Sequence, residues 1–311
     1  MMRSSIMKSP EVVVVILNWN GKEDTTLCLR SLANLKYDHV EIIVVDNGSK
    51  DGSVEFLRSE KGITLIENGA NLGFAAGNNV GIRYAINKLK PDYVFLLNND
   101  TECDPDMLTH LVRTAESSSQ IGIVSPKICY FDNPNKIWSI GGNGIFKTVL
   151  LGDSIKGQGD SVNYVQDRPV DYVWSCGMLI KENVIHQIGL LDEDYFVSME
   201  DIDYCKRARD AGFEIWVSSR AKLLHKVSSS TGGDNYTPII RYYYAKGMVL
   251  FMKKHALLRE WMLFFPIVLM SLVWAMPREF YRNNQKAVFE KIRGLKDGFM
   301  TAPHPIQKPL R

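Results

Sequence analysis

The chain has 311 residues, of which 45% are hydrophobic and 23% are charged, so it can bury one large core or two ordinary ones. This composition excludes intrinsic disorder, collagen-like repeats and small folds held together by disulfides. The formal net charge of +2 argues against a dedicated nucleic-acid binder, but residues 241–311 hold 13 Lys and Arg against 4 Asp and Glu. A basic tail on an acidic body is typical of proteins that bind an anionic lipid surface or a nucleic acid.

Several common signatures are absent from the sequence. The five cysteines form no Cys-x-x-Cys pair and are odd in number, which favours a reducing compartment over a zinc site or a disulfide framework. The first residues lack the long apolar stretch of a signal peptide, so we expect a cytoplasmic protein. No G-x-G-x-x-G, P-loop or G-x-S-x-G motif occurs. A site that handles phosphate would therefore use a metal ion or a polar loop.

The first 125 residues alternate between short β-branched runs and longer segments with helical spacing. The short runs predict strands at 12–17, 40–45, 63–66, 93–97 and 121–124. The longer segments predict helices at 25–35, 53–58, 75–89 and 105–115. Strands that are apolar throughout and alternate with helices predict an α/β fold, with an open, mostly parallel sheet covered by helices on both faces. The ligand of such a sheet is expected beyond the carboxyl ends of its strands.

Short polar residues follow four of these strands, at 18–21, 46–53, 68–74 and 98–101. Asn, Asp, Gly and Ser are good turn residues, so turn chemistry alone explains any one of these loops. All four loops would lie on one edge of the sheet, and for that arrangement a ligand site is the better interpretation.

The fourth of these loops ends in Asp100, after Asn98 and Asn99. A carboxylate and amide oxygens at a strand end suit a hard divalent cation such as Mg²⁺ or Mn²⁺, with positions left open for phosphate oxygens. An Asp before Thr is also a common helix N-cap, and that alternative stays open at this point.

A second acidic cluster comprises Glu200, Asp201 and Asp203. Crowded carboxylates in a cleft can provide a general base whose pKa is set by its neighbours. Acidic residues are also favoured in the first turn of a helix, and a base at a helix N-terminus satisfies both interpretations. His225 follows an apolar stretch and could be a nitrogen ligand that complements Asp100, although an isolated histidine is more often structural.

From 126 to 240 the pattern is less regular and predicts a smaller α+β lobe that completes the site. In the tail, residues 261–276 are free of charge, contain Pro266 and are flanked by basic residues. The run is shorter than the roughly 20 residues of a spanning helix, and we expect the proline to break its middle. The pattern favours a helical tail that lies in the plane of an anionic membrane surface. A hairpin packed on the body and a true span are the alternatives.

Taken together, the segments 13–21, 44–53, 71–79, 96–101, 174–177 and 200–207 resemble glycosyltransferase family 2. This family comprises inverting nucleotide-sugar enzymes with a GT-A fold, and the Leu-Asn-Asn-Asp and Asn-Leu-Gly-Phe segments are most similar to its rhamnosyltransferase-like branch. The resemblance covers about residues 11–230. It divides this part of the chain into a nucleotide-sugar-binding half at 11–125 and an acceptor-binding half that carries the base at 126–240. The apolar run with its basic flanks predicts a membrane-associating tail at 241–311.

The resemblance also implies roles for individual residues. Asp201 would be the catalytic base, with Glu200 beside it in the catalytic pair. Asp100 and His225 would bind Mg²⁺ or Mn²⁺. Donor-binding residues would be Leu17, Asn18, Asn20, Asp46, Asn47, Ser49, Asn71, Gly73, Asn78, Asn98 and Asn99. Acceptor-binding residues would be Trp174, Cys176 and Gly177. Family members often carry Asp-Asp at the position of Asp46-Asn47 and Asp-x-Asp at that of residues 98–100, so this chain has fewer carboxylates near the metal.

The resemblance implies transfer of a sugar, with rhamnose suggested by the branch, from a dTDP- or UDP-sugar to a hydroxyl of a lipid-linked or polysaccharide acceptor. The enzyme would lie at the inner face of the cell membrane and bind no nucleic acid. Two alternatives stay open: a nucleotide-sugar-binding module without catalysis, and a sugar nucleotidyltransferase. The latter usually carries a Gly-rich basic loop after its first strand, and residues 18–21 are not such a loop.

Overall fold

The protein is described by a computed structural model. The structure describes residues 9–151, 159–160, 166–227, 237–282 and 284–305. Parts of the predicted second half and of the tail, including the serines at 228–230, lie outside the described residues.

The described chain forms a ten-stranded sheet with the order β3-β2-β1-β4-β9-β6-β10-β5, in which β7 pairs with β6 and β8 with β10. The strands are β1 Val12–Asn18, β2 Val40–Asp46, β3 Ile63–Glu67, β4 Tyr93–Asn98, β5 Thr101–Cys103, β6 Ile121–Tyr130, β7 Ile137–Ser139, β8 Arg168–Val170, β9 Gly177–Lys181 and β10 Glu214–His225. The predicted strands β1 to β4 begin at the predicted residues and run one residue further, whereas β6 runs on to Tyr130.

The helices are α1 Lys22–Leu32, α2 Ser53–Ser59, α3 Phe74–Tyr84, α4 Met107–Glu116, α5 Ile145–Leu151, α6 Glu182–Ile188, α7 Glu200–Asp210, α8 Pro238–His255, α9 Leu258–Tyr281 and α10 Gln285–Met300. A π-helical turn, Ala85–Leu89, continues α3. The four predicted helices are confirmed.

The sheet is parallel through β3, β2, β1 and β4, and β6 is parallel to β10. Between these two sets lies β9, which is antiparallel to both β4 and β6. Because β9 joins the sets, strands from both sides of residue 126 belong to one sheet, and the ends of β4 and β10 come to the same edge.

Side chains of β1 alternate between two buried cores, as expected for a strand covered on both faces. Val13 and Val15 pack with α3, α6, α7 and α8. Val12, Val14 and Ile16 pack with α1, α2 and α4. The predicted α/β architecture with helices on both faces is therefore confirmed.

The tail forms helices α8, α9 and α10. The expectation that Pro266 breaks the apolar run is wrong, because α9 continues through both Pro266 and Pro277 over 24 residues. Pro266 is exposed, and so is Met262, whose carbonyl loses its intrahelical N–H partner at this proline. By length and composition, α9 is the one described helix that could cross a membrane, with a mean hydropathy of 1.6 in its best 18-residue window.

Candidate active site

The ends of β1 and β2 are joined by a network of hydrogen bonds. Asn18 lies beside Asp46 in the sheet register, and its Nδ2 donates to Asp46 Oδ2 at 2.7 Å and to Ser49 Oγ at 3.1 Å. Asp46 Oδ1 accepts the backbone N–H groups of Gly48 and Ser49. Asn20, at φ +51°, donates its N–H to Ser49 Oγ and accepts from the N–H of Lys50. The predicted donor-binding loops after β1 and β2 therefore form one interlocked unit.

Asn47 ties this unit to the loop before α3. Its Nδ2 donates to Asn71 Oδ1 at 3.2 Å and to the carbonyl of Gly73 at 3.0 Å. Gly73 has φ +86°, and a Cβ there would lie 2.6 Å from the carbonyl oxygen of Phe196, so glycine is needed for this close approach. On α3, Asn78 donates to the carbonyl of Phe74, one turn back.

Leu17 borders the same region, because a Cβ on Gly77 of α3 would lie 2.6 Å from its Cδ1. From β4, Asn98 donates its N–H to the carbonyl of Cys176. Asn99 Nδ2 donates to Thr25 Oγ1 at 2.9 Å and lies 3.3 Å from Asn18 Oδ1. The structure thus brings the predicted donor residues from four strand ends to one edge of the sheet.

Asp100 and His225 form a buried pair at this edge. Asp100 Oδ1 lies 3.2 Å from His225 Nε2, and each side chain is 8% exposed. The helix N-cap alternative for Asp100 fails, because Thr101 begins β5, which pairs antiparallel with the end of β10 and so sets Thr101 opposite His225.

Trp138 of β7 lies at this pair and was missed by the sequence reasoning. Its ring meets the ring of His225 edge-on at 4.9 Å and lies 6.0 Å from that of Trp174. It therefore helps to fix the imidazole plane. The one sequence signal that could have indicated a role for Trp138 is the presence of a tryptophan in a short apolar strand.

The loop before β9 contacts both the end of β4 and the start of α7, since the carbonyl of Cys176 accepts from Asn98 and the N–H of Ser175 donates to Asp201. The Cys176 thiol is buried, which raises its pKa well above the usual range, and the charges of Asp100 and Asp201 raise it further. Both carboxylates are therefore near this thiol. Gly177 admits no side chain, since a Cβ there would lie 2.7 Å from Leu223.

Asp201 lies in the first turn of α7 and is 6% exposed. Burial raises the pKa of Asp201 to about 6, although the backbone N–H groups of Ile202 and Ser175 donate to its carboxylate. Burial and the charge of Asp201 raise the pKa of Glu200 well above its usual range, and Glu200 Oε2 has no hydrogen-bond partner among the described residues. Two adjacent buried carboxyls cannot both ionise easily, and the backbone donors favour charge on Asp201.

The turn that leads into α7 is strained. Ser198 and Met199 both adopt positive φ values, of +70° and +80°. Each such residue costs on the order of 1–3 kcal/mol and persists only where its surroundings fix it. Helix α7 thus begins from a backbone conformation that its neighbours must hold in place.

The residues at Asp100 fit a divalent cation in part. Within the described ranges no group of three or more His, Cys, Asp or Glu side chains is placed to hold a metal ion. One carboxylate oxygen and one imidazole nitrogen lie together, which suits an ion that keeps most of its positions for phosphate oxygens and water.

Lys253 and Lys254 belong to the basic residues that flank the apolar run at 261–276, and both have partners within the protein. Lys254 is 5% exposed and pairs with Asp192 and with Asp194, the latter at 2.6 Å. Lys253 donates to the carbonyls of Gly298, Phe299 and Thr301. Neither ammonium group is therefore free for an external anion.

A sheet of this topology, with an acidic residue following its fourth strand, is that of a glycosyltransferase with the GT-A fold. The chain belongs to glycosyl transferase family 2, whose family model matches residues 13–189, more than half of the chain.

Three curated relatives support this assignment. The low-salt glycan biosynthesis hexosyltransferase Agl10 of Haloferax volcanii is 30% identical over 216 residues, 69% of this chain and 67% of the relative. The dTDP-rhamnosyl transferase RfbF of Shigella flexneri is 22% identical over 306 residues, 92% of this chain and 97% of the relative. The N-acetylglucosaminyl-diphospho-decaprenol L-rhamnosyltransferase of Mycobacterium tuberculosis is 27% identical over 226 residues, 66% of this chain and 73% of the relative. The chain is thus a rhamnosyltransferase-like glycosyltransferase, and the resemblance found in the sequence is confirmed.

Two solved structures share the fold. The mannosyltransferase PcManGT of Pyrobaculum calidifontis, in complex with GDP-Man and Mn²⁺, superposes with a TM-score of 0.56 at 16% identity, over 96% of this chain and 78% of that chain. S. aureus TarS 1-349, in complex with UDP-GlcNAc, superposes with a TM-score of 0.58 at 15% identity, over 93% of this chain and 81% of that chain.

Proposed function

We propose that this enzyme is an inverting transferase that moves one hexose, with rhamnose as the first candidate, from a dTDP- or UDP-sugar to a hydroxyl of a lipid-linked or polysaccharide acceptor. The observation that carries the proposal is the buried Asp201 carboxylate, which accepts the N–H of Ser175 in the loop before β9. The same loop meets the strand end that leads to Asp100, because the carbonyl of Cys176 accepts the N–H of Asn98. Two relatives support the sugar and the acceptor class, since one is named for dTDP-rhamnose and the other for a diphospho-decaprenol acceptor.

In the proposed reaction Asp201 accepts the proton of the acceptor hydroxyl while that oxygen attacks the anomeric carbon. The bond from this carbon to the diphosphate oxygen breaks in the same step, and the nucleoside diphosphate leaves with the bonding electron pair. A single displacement inverts the anomeric configuration. A carboxylate whose pKa is raised to about 6 is a stronger base than an ordinary Asp and is still ionised at neutral pH.

Asp100 and His225 would hold Mg²⁺ or Mn²⁺. Such an ion supplies charge stabilisation for the departing diphosphate. The loops after β1, β2, β3 and β4 would hold the nucleotide, and Trp174, Cys176 and Gly177 would border the acceptor.

We also propose that the enzyme is peripheral on the inner face of the cell membrane, with the tail as its docking surface. One side of α9 is apolar yet exposed, with Leu269 at 64% and Trp274 at 74%. Arg259 and Arg278 of α9 and Arg293 of α10 have side chains more than half exposed, and each also pairs with a glutamate of its own helix. Apolar side chains flanked by cations suit the boundary between acyl chains and anionic headgroups.

Release of nucleoside diphosphate tests the reaction class. Purified enzyme is incubated with a panel of dTDP- and UDP-sugars together with Mn²⁺, Mg²⁺ or EDTA, and donor binding is measured on the same samples. We expect cation-dependent release from one donor, in keeping with a transferase that hydrolyses its donor slowly when no acceptor is present. Binding without release, even with a lipid-linked acceptor present, would instead indicate a nucleotide-sugar-binding module. Absence of binding to every donor would contradict the proposal.

A further inference from the structure

The last turn of α8 contacts the helix that carries the proposed base. His255 Nε2 lies 2.7 Å from Asp203 Oδ1, and Arg207 Nε donates to Asp203 Oδ2, also at 2.7 Å. The Asp203 side chain is fully buried, and that of His255 is 7% exposed. A carboxylate accepts only, so the imidazole N–H is the donor in this contact.

Asp203 lies two residues after Asp201, in the same first turn of α7. Burial alone would raise the pKa of Asp203, but Arg207 and His255 together hold it below the usual range. Arg207 lies on α7 itself and Tyr195 lies in the segment just before it, so His255 is the partner that ties this turn to α8. Its contact opposes rotation of the turn about the helix axis.

A second contact from α8 reaches the strained turn before α7. A Cβ on Gly247 would lie 3.1 Å from Met199 Cγ and 3.2 Å from the carbonyl oxygen of Ser198. The α8 backbone is therefore packed directly against the two residues with positive φ. This packing supplies the external support that such a conformation requires.

Lys254 adds a third contact, next to His255. Its ammonium pairs with Asp192 and Asp194 and lies 5.4 Å from the centre of the Tyr195 ring. The Tyr195 hydroxyl in turn lies 3.5 Å from Asp203 Oδ1. The segment that precedes the strained turn is thus held by the same end of α8.

We propose that α8 is a positioning element for glycosyl transfer and that His255 is its central positioning residue. Acting through Asp203, His255 would fix the first turn of α7 and with it the direction of the Asp201 carboxylate. The inference rests on the proposed function, in which Asp201 is the base. A general base must lie within about 2.6–3.2 Å of the proton it removes, and a misplacement of about 1 Å can lower the rate about 100-fold.

The test uses the full-length enzyme with its preferred donor and acceptor. His255→Leu removes the N–H group that donates a hydrogen bond to Asp203. His255→Gln keeps an N–H group at the same end of the side chain. His186→Leu is the matched control, because His186 also pairs with a carboxylate, that of Glu182 at 3.2 Å, but on the surface of α6. Turnover, donor KM and thermal unfolding are measured for each variant, with Asp201→Asn as the reference for loss of the base.

We expect His255→Leu to lower kcat about 10- to 100-fold while donor KM changes less than about twofold, because the donor loops lie on other elements. His255→Gln should recover most of kcat, and His186→Leu should match the wild type. Gly247→Ala, which pushes on Ser198 and Met199 without removing a polar contact, should lower kcat in the same selective way.

Two results would overturn the proposal: a kcat of His255→Leu within about threefold of the wild type, or a loss of kcat no larger than the loss of folded enzyme. These outcomes remain distinct from failure of the proposed function. If Asp201→Asn kept full turnover, the base assignment would be wrong and this inference would fall with it. If Asp201→Asn were inactive while His255→Leu was normal, only the positioning role would be wrong.

Discussion

Asp201 and Asp203 lie two residues apart on α7, and both are buried, but their partners differ. Asp201 is bonded by backbone N–H groups, and burial raises its pKa to about 6. Burial also acts to raise the pKa of Asp203, but Arg207 and His255 hold this pKa below the usual range. The ionised Asp201 carboxylate should therefore destabilise the folded state, whereas the ionised Asp203 carboxylate should stabilise it.

We expect Asp201→Asn to raise the free energy of unfolding at pH 8, by on the order of 2 kcal/mol, because it removes a buried charge that has no cation beside it. Asp203→Asn should lower it by roughly 3–5 kcal/mol, because Arg207 would then be a buried charge without its partner. Urea denaturation of both variants and the wild type measures these changes.

The pH dependence of the Asp201 effect has a definite sign. The folded-state pKa of Asp201 lies above the usual value of an Asp side chain, so the folded state binds more protons between pH 4 and pH 6. Wild-type stability should therefore fall relative to that of Asp201→Asn as the pH rises through this window, and the difference should be constant above it. A difference that is constant from pH 4 to pH 8 would contradict the raised pKa.

The same pKa predicts the pH profile of the reaction. A base must be ionised to accept a proton, so kcat/KM should increase with pH and reach half its maximum near pH 6. The profile of kcat/KM reports the free enzyme and is measured from pH 5 to pH 8 with saturating cation. An acid limb centred near pH 4, as for an ordinary Asp, would show that burial does not tune this group.

Asp100, Asp201 and His225 could be named as candidate site residues from the sequence because Asp100 and Asp201 lie in contiguous motifs and the resemblance indicated His225. His255 and Trp138 could not be. Their roles depend on contacts with Asp203 and His225, far away along the chain, and nothing in their local sequence indicates those partners.

At the scale of elements, the strands and helices of the first 125 residues followed from local patterns of apolar residues. The place and direction of β9 did not, because they depend on its pairing with β4 and β6 across long sequence separations. The effect of Pro266 was misjudged for a related reason. A proline removes one hydrogen bond and disturbs one turn, and α9 continues through an exposed Pro266 over 24 residues.

Helix α9 gives a prediction about membranes. Leu269→Glu and Trp274→Glu place a charge on its exposed apolar side, so we expect binding to phosphatidylglycerol vesicles to weaken by tenfold or more. Leu27→Glu, at a partly exposed apolar position on α1, is the control and should bind as the wild type does. Co-sedimentation with vesicles measures this. Equal binding by all variants, or no binding by the wild type, would contradict a docking role for α9.

At the scale of the whole molecule, the site is assembled from distant parts of the chain. Asp100 follows β4, His225 ends β10 and Asp201 begins α7. Asn79 joins α3 to the segment before α7, because its side chain both donates to the carbonyl of Leu191 and accepts from its N–H. The candidate site therefore depends on the joint placement of β4, β10 and α7.

This assembly predicts a shared dependence on the cation. Asp100→Asn and His225→Gln should each raise the Mn²⁺ concentration needed for half-maximal turnover by about tenfold or more, and EDTA should abolish turnover of the wild type. Asp106→Asn, at an exposed carboxylate paired with Lys36, is the control. If the dependence of turnover on Mn²⁺ concentration were the same for the wild type and all three variants, Asp100 and His225 would not be metal ligands.

The most direct test compares Asp201→Asn with Glu200→Gln for donor affinity and turnover on the same samples. Because Asp201 is assigned as the base, Asp201→Asn should bind the donor within about twofold of the wild type and lose about 100- to 10,000-fold in kcat. Glu200→Gln resembles the protonated acid that burial favours and should retain at least about ten times more turnover than Asp201→Asn. Wild-type turnover in Asp201→Asn, or a greater loss in Glu200→Gln, would contradict the account.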